Sequence, residues 1–241
     1  MIHSQNIEEF QKKFDGLDAE TILHEAFKLF ENDQIAFASS LAAEDQVLTA
    51  MVVRLNPKAH IFTIDTGRLP QETYDVIQST MSKYGFQYEV LFPDYKDVEE
   101  MVSIHGPNLF YENRDKRTLC CHERKVKPLK RKLATLKAWI CGLRREQAVT
   151  RSEIQKIEWD EGNGLVKINP LADWKSDDVW NYIRKNGVPY NKLHDKGYSS
   201  IGCSPCTRPI QLGEDVRAGR WWWEDPEHKE CGLHVKKTKK S

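Results

Sequence analysis

Residues 35–64 read IAFASSLAAEDQVLTAMVVRLNPKAHIFTI, and the fold turns on how this stretch changes its period. Ile35-Ala36-Phe37-Ala38 is a short apolar run without a polar face, as a strand covered on both sides requires. A turn of small and hydroxyl residues follows, residues 45–55 read as a helix, and residues 59–64 read as a second strand. The alternation continues outward. Residues 88–92, 138–141 and 165–168 are further strand candidates, and residues 71–84, 98–104 and 126–136 are helix candidates. Strand and helix alternating in this way predict right-handed βαβ units: an α/β fold with a mostly parallel twisted sheet and helices on both faces. Ligands of such sheets bind at the carboxyl ends of the strands.

Beyond the last strand, Lys175-Ser176-Asp177-Asp178 opens a helix that Asn186-Gly187 stops. From Pro189 the pattern loosens into turns, a Cys203-Ser204-Pro205-Cys206 knuckle and an Arg/Trp-rich segment. The expected organisation is an N-terminal helical segment (1–34), an α/β core that binds nucleotide (35–188) and a C-terminal site-building segment (189–241). There is no internal repeat.

At 241 residues the chain can bury a substantial core without a metal to hold it together. Lys plus Arg equals Asp plus Glu at 36 each, so global charge favours neither nucleic acid nor membrane as a partner. No signal peptide or membrane-spanning run is legible, which reads as a soluble cytoplasmic protein. In a reducing compartment, clustered cysteines are ligands or catalysts more often than disulfides.

Six cysteines are present. Cys120-Cys121 and Cys203-x-x-Cys206 form two close pairs, and four thiolates suit either a structural zinc or an iron-sulfur cluster. Zinc sites prefer two to four residues between paired ligands, and adjacent side chains on an extended backbone diverge. The adjacent pair therefore favours a 4Fe-4S cluster; four buried structural thiols are the plain alternative. Cys231, in Lys229-Glu230-Cys231-Gly232-Leu233-His234, sits in a polar, basic setting that suits an accessible thiolate, though an incidental tail cysteine fits equally well. Cys141 ends a strand and is expected in the core.

Arg124-Lys125, Arg144-Arg145, Arg151, Arg217 and Arg220 lie near the cysteine motifs or strand ends, where a guanidinium fork matches phosphate or sulfate. Ser39 to Asp45 and Ile64-Asp65-Thr66-Gly67-Arg68 are turns at strand ends, positioned to meet an anion, but the first lacks the glycines of a P-loop.

Ile64-Asp65-Thr66-Gly67, Cys120-Cys121-x-x-Arg124-Lys125, Cys203-x-x-Cys206, Gly219-Arg220-Trp221-Trp222-Trp223 and Glu230-Cys231-Gly232-Leu233-His234 occur in that order. Together they resemble the assimilatory adenylyl-sulfate reductases, of the phosphoadenylyl-sulfate/adenylyl-sulfate reductase family, from about residue 35 to residue 234. The resemblance implies an adenine-nucleotide α-hydrolase-like fold related to the PP-loop ATP pyrophosphatases. It implies thioredoxin-dependent, or glutaredoxin-like, reduction of adenosine 5′-phosphosulfate to sulfite and AMP. Position by position, Cys120, Cys121, Cys203 and Cys206 resemble the ligands of one 4Fe-4S cluster, and Cys231 resembles the nucleophile, on a mobile tail. Lys125, Arg151, Arg217 and Arg220 resemble the phosphosulfate-gripping positions. Ser40, Ile64 and Gly142 fall where the family's loops surround the nucleotide. The departure is Leu41-Ala42-Ala43 where the wider fold has a glycine-rich pyrophosphate loop.

The resemblance leaves a reductase of 3′-phosphoadenylyl sulfate, or of both nucleotides, as the near alternative. A PP-loop ligase or tRNA thiolase would need the absent glycine-rich loop, and a zinc-binding interaction module would need no chemistry at all. Oligomer formation is compatible with everything above.

Overall fold

The computed structural model describes residues 2–147 and 151–224. In chain order the main elements are α1 (Ile7–Phe14), α2 (Ala19–Leu29), β1 (Ile35–Ala38), α3 (Ala43–Leu55), β2 (His60–Ile64), α4 (Gln71–Tyr84), β3 (Glu89–Leu91) and α5 (Tyr95–His105). There follow α6 (Arg114–Cys121), a π-helical turn (His122–Val126), α7 (Lys127–Leu133), β4 (Ala138–Ile140), β5 (Ile157–Asp160), β6 (Leu165–Ile168) and α8 (Ser176–Asn186).

The six strands form one sheet in the order β3-β2-β1-β4-β6-β5. β1 runs parallel to β2 and β4, and β4 parallel to β6, as the alternation predicts. Every residue of β4 and β6 is buried, the mark of strands covered on both faces.

Two elements were hidden from the period reading. β5 runs antiparallel to β6 at the sheet edge, and only its Ile157 is fully buried, so Ile-Glu-Trp-Asp does not stand out as a strand. The turn joining the two is closed by Asp160 Oδ1, which accepts from the Gly162 and Asn163 amides at 3.1 and 3.2 Å. α6 was missed because its sequence, Arg-Asp-Lys-Arg-Thr-Leu-Cys-Cys, opens with a charged run. Its start is fixed by the Asn113 side chain, which accepts from the Lys116 amide at 2.9 Å. Residues 98–104 proved to be the interior of α5, which begins earlier because Asp94 caps it through the Lys96 amide at 2.9 Å.

The chain divides into two compact units. The first comprises Met1–Thr63, Glu72–Glu89 and Leu133–Asn191; the second comprises Ile64–Gln71, Val90–Lys132 and Lys192–Ser241. The first unit holds the main core, in which Ile22 and Leu23 of α2, Phe37 of β1, Val47 and Leu48 of α3 and Ile140 of β4 are all buried. α2 is capped by Asp18, whose carboxylate accepts from the Thr21 amide at 2.8 Å, and α8 ends on Gly187 in the left-handed region (φ 59°). A smaller core in the second unit gathers Met101, Leu109, Phe110 and Trp221 around the four paired cysteines. Among the described residues no helix is long and apolar enough to cross a membrane.

Phe37 is paired with Ile61 on one side and Ile140 on the other, and it is 1% exposed. Phe37→Ala is expected to lower unfolding stability by about 3–5 kcal/mol, read from the denaturant midpoint at unchanged slope. A loss under about 1 kcal/mol would contradict its place at the centre of the core.

Candidate functional site

In the second unit, Cys120 and Cys121 are the last two residues of α6 and not part of an extended segment. Neighbours on a helix project about 100° apart instead of to opposite faces, so both can face one cavity. The π-turn begins at the next residue, with the Lys127 amide bonded to the His122 carbonyl. Such a turn holds an extra residue and changes the direction of the side chains inside it. Arg124 and Lys125 lie within it.

Cys203 and Cys206 bracket a tight 3-10 turn, Ser204–Cys206, held by a Cys206 N–H bond to the Cys203 carbonyl at 2.9 Å. The Asp65-Thr66-Gly67-Arg68 loop braces this knuckle. The Ser204 amide bonds the Arg68 carbonyl at 2.8 Å, and Thr66 Oγ1 lies 3.2 Å from Cys203 Sγ.

All four cysteines are buried, at 7–8% exposure, and line one pocket. Cations share its wall: Arg68, Arg117, Arg124 and Lys125. Arg124 donates to the Thr66 carbonyl at 2.7 Å. Arg117 makes a two-pronged, buried ion pair with Glu224 at 2.8 and 2.6 Å and stacks over Trp221 at 4.7 Å. It also hydrogen-bonds Cys121. Burial works to raise the Cys203 thiol, yet Lys125, the Thr66 hydroxyl and Arg220 outweigh it, and the net shift is downward. Cys206 is pushed up to about 12, first by burial and then by the neighbouring Cys203. One sulfur of the knuckle is thus readier to ionise than the other.

Arg220 is buried and its guanidinium also lies over the Trp221 ring, at 4.6 Å. Its guanidinium occupies the space that a Cβ on Gly202 would fill. Arg217 is half-buried, and its backbone N–H is bonded to Asp215 at 2.8 Å. Ile64 ends β2, also half-buried. Cys231 lies outside the described residues.

In the first unit, the loop after β1 takes its shape from a carboxylate. Asp45, the third residue of α3, accepts from Ser40 N at 2.6 Å and Ser40 Oγ at 2.5 Å. It also accepts from the Gly142 amide, and a Cβ at Gly142 would overlap its Oδ1. Leu41 between them is in the left-handed region (φ 64°), where a non-glycine residue is strained; its amide is bonded to Ser39 Oγ at 3.2 Å. Ala42 is the N-cap of α3 and has no side-chain cap, so Asp45 serves the loop and not the helix start.

Arg144 is buried and bonded to Glu44 at 2.9 Å and Glu146 at 3.1 Å, while Arg145 pairs with Asp173. Both are engaged by carboxylates. Arg151 donates to Gln147 at 2.6 Å. Cys141 is buried as expected, and burial drives its thiol well above the usual range, so it is inert. Sequence reasoning missed Arg117; the signal available was its spacing of three and four residues from the cysteine pair, which puts it on their face of the helix.

Residues 34–209 match the phosphoadenosine phosphosulfate reductase domain. The chain is 55% identical over 204 residues to the adenosine 5′-phosphosulfate reductase of Allochromatium vinosum, covering 85% of this chain and 80% of that protein. It also superposes on the crystal structure of the phosphoadenylyl-sulfate reductase of Candida auris in its phosphate complex, with a TM-score of 0.74 and 29% identity over 86% of this chain and 98% of the other. A more distant likeness, to the FMN adenylyltransferase of Candida glabrata (TM-score 0.57, 15% identity, 95% of this chain and 78% of the other), concerns the fold alone. A family match over residues 34–209 and 55% identity across most of both chains place the chain in the phosphoadenosine phosphosulfate reductase domain family.

Proposed function

We propose that this protein reduces adenosine 5′-phosphosulfate to sulfite and AMP with electrons from thioredoxin or a glutaredoxin-like thiol donor, as a step of sulfate assimilation. The observation that carries the reading is the 55% identity to an enzyme named for that substrate, spread over most of both chains.

Cys231 is the proposed nucleophile. Its thiolate attacks the sulfur of the phosphosulfate; an S–S bond forms, the S–O bond to the phosphate breaks, and AMP leaves with the electron pair. The enzyme is left as an S-sulfocysteine. A thiolate of reduced thioredoxin then attacks the Cys231 sulfur and sulfite departs with the bonding pair. The partner's second thiol displaces Cys231 from the mixed disulfide, so two electrons pass from the dithiol to the sulfonyl sulfur and the Cys231 thiolate is regenerated. This chemistry needs reduced thiols, which fits a cytoplasmic setting.

An anionic nucleophile approaching an anionic substrate needs cations at the phosphosulfate. Lys125, Arg151, Arg217 and Arg220 are the proposed groups, with Ser40, Ile64 and Gly142 at the nucleotide. Ion pairing withdraws Arg144 and Arg145 from that role.

Cys120, Cys121, Cys203 and Cys206 are the proposed ligands of one 4Fe-4S cluster. The donor set supports this: four buried thiols around one pocket, with the Arg124 Nε and Trp221 Nε1 donors of its wall lacking a hydrogen-bond partner. A cuboidal cluster distributes its ligands over separate irons, which suits two close cysteine pairs more readily than one ion does. When bound, the group supplies a fixed charge that tunes the field at Lys125.

Anaerobically purified protein is expected to contain about four irons per chain, and Cys203→Ser to lose most of that iron and its visible absorption. Iron-free wild type with full sulfite release would refute the cluster. In sulfite-release assays with each sulfonucleotide and thioredoxin, Cys231→Ser should lose activity by on the order of 10³-fold or more, with iron retained. Lys125→Ala, also with iron retained, should lose roughly 10²-fold in kcat/KM for adenylyl sulfate. Unimpaired turnover of either variant would remove the corresponding role.

A further inference from the structure

Asp45 is a carboxylate buried to 5% exposure in the first unit, and among the described residues its carboxylate has no cationic partner. A buried acid of this kind is normally an expense that a fold avoids. Its contacts are all to two backbone segments. Oδ2 takes both donors of Ser40, amide and hydroxyl, and the Gly142 amide reaches the same carboxylate. Only glycine fits at position 142, since any Cβ would overlap Asp45 Oδ1. The loop held in this way contains the left-handed Leu41, a conformation that a non-glycine residue keeps only where its surroundings enforce it.

We propose that Asp45 is a positioning residue for nucleotide binding: its one carboxylate fixes the loop after β1 through Ser40 and the turn after β4 through Gly142, giving both segments a common anchor. The inference rests on the proposed placement of Ser40 and Gly142 at the nucleotide. Asp45 need not touch the nucleotide to act.

The titratable groups facing Asp45 are Glu44 beside it on α3, Tyr88 ahead of β3 and Cys141 after β4; Glu44 is itself paired with Arg144. Burial, assisted by Glu44, raises the Asp45 carboxyl to about 6, against the Ser40 and Gly142 hydrogen bonds. The pKa lies above the unfolded value, so the protonated form favours the folded state. That contribution is full below about pH 4 and is lost as pH rises through about 6. At neutral pH the ionised carboxylate costs stability while it holds the loops.

Position and stability therefore make opposite demands, which separates this role from a structural one. Asp45→Asn keeps the shape and removes the charge, but its amide N–H₂ must face either the Gly142 amide or the Ser40 donors, placing donor against donor. The variant should stay folded at about pH 8, because the desolvation cost it removes offsets the hydrogen bonds it loses. It should bind AMP roughly tenfold more weakly by calorimetry, and raise KM for adenylyl sulfate by a similar factor with kcat changed less than about threefold. AMP affinity within about twofold of wild type in the folded variant overturns the inference. A second measurement needs no variant: wild-type affinity for adenosine, whose charge is constant across the range, should fall as pH drops through about 6. A flat profile overturns the inference even if Asp45→Asn does not fold. Wild type that binds neither AMP nor adenosine would defeat the nucleotide reading itself, whereas normal wild-type binding with an unaffected variant and a flat profile defeats only the role of Asp45.

Discussion

Sulfur that carries negative charge beneath a protein surface must be matched by cations close at hand, and the second unit is organised around that requirement. Burial pushes the Cys120, Cys203 and Cys206 thiols up. Lys125, the Thr66 hydroxyl and Arg220 outweigh it at Cys203, whose net shift is downward, while Cys206 and Cys120 remain raised. The cations are in turn held in place: Arg117 by Glu224, Arg124 by the Thr66 carbonyl, Arg220 by the room that Gly202 leaves. Arg117 and Arg220 each lie over the Trp221 ring, and all three side chains are buried. Loop, knuckle and helix end thus serve one electrostatic condition.

The strands of the parallel sheet were legible because burial on both faces leaves a short uninterrupted apolar run, as in Ile35–Ala38 and Leu165–Ile168. β5 was not, since a half-covered edge strand carries polar residues that resemble a loop. α6 escaped because most of its residues are polar and its buried ones are arginine and cysteine, which a hydrophobicity count passes over. The cysteine ligand candidates were legible as motifs, but their geometry was not. The argument from diverging neighbours assumed extended backbone, and the pair sits on a helix. Among the arginines, sequence position could not separate those turned toward sulfur from those bound to carboxylates. Arg144 and Arg117 are both buried and both paired, yet only Arg117 lines the cysteine pocket.

The loop after β1 shows how a backbone shape usually given to glycine can be held by other means. Leu41 takes the left-handed conformation at a cost of about 1–2 kcal/mol. Three hydrogen bonds, from Ser40 to Asp45 and from the Leu41 amide to Ser39, offset that strain. Absence of glycines from residues 39–45 therefore does not mean absence of a tight turn. The Leu41 side chain, 3% exposed, joins the first unit's core, which no glycine could do.

The π-turn at His122–Val126 gives the helical run from Arg114 to Leu133 one residue more than a regular α-helix would need. Because i→i+5 bonding turns each residue through less than about 100°, the widened turn absorbs that extra residue, and Cys120 and Cys121 on one flank keep nearly the phase toward α7 that a regular helix one residue shorter would give. What the widening changes is the direction of the residues inside it, Arg124 and Lys125 among them. Chain length in this turn is thus a determinant of where those two cations point, separate from the cysteines themselves.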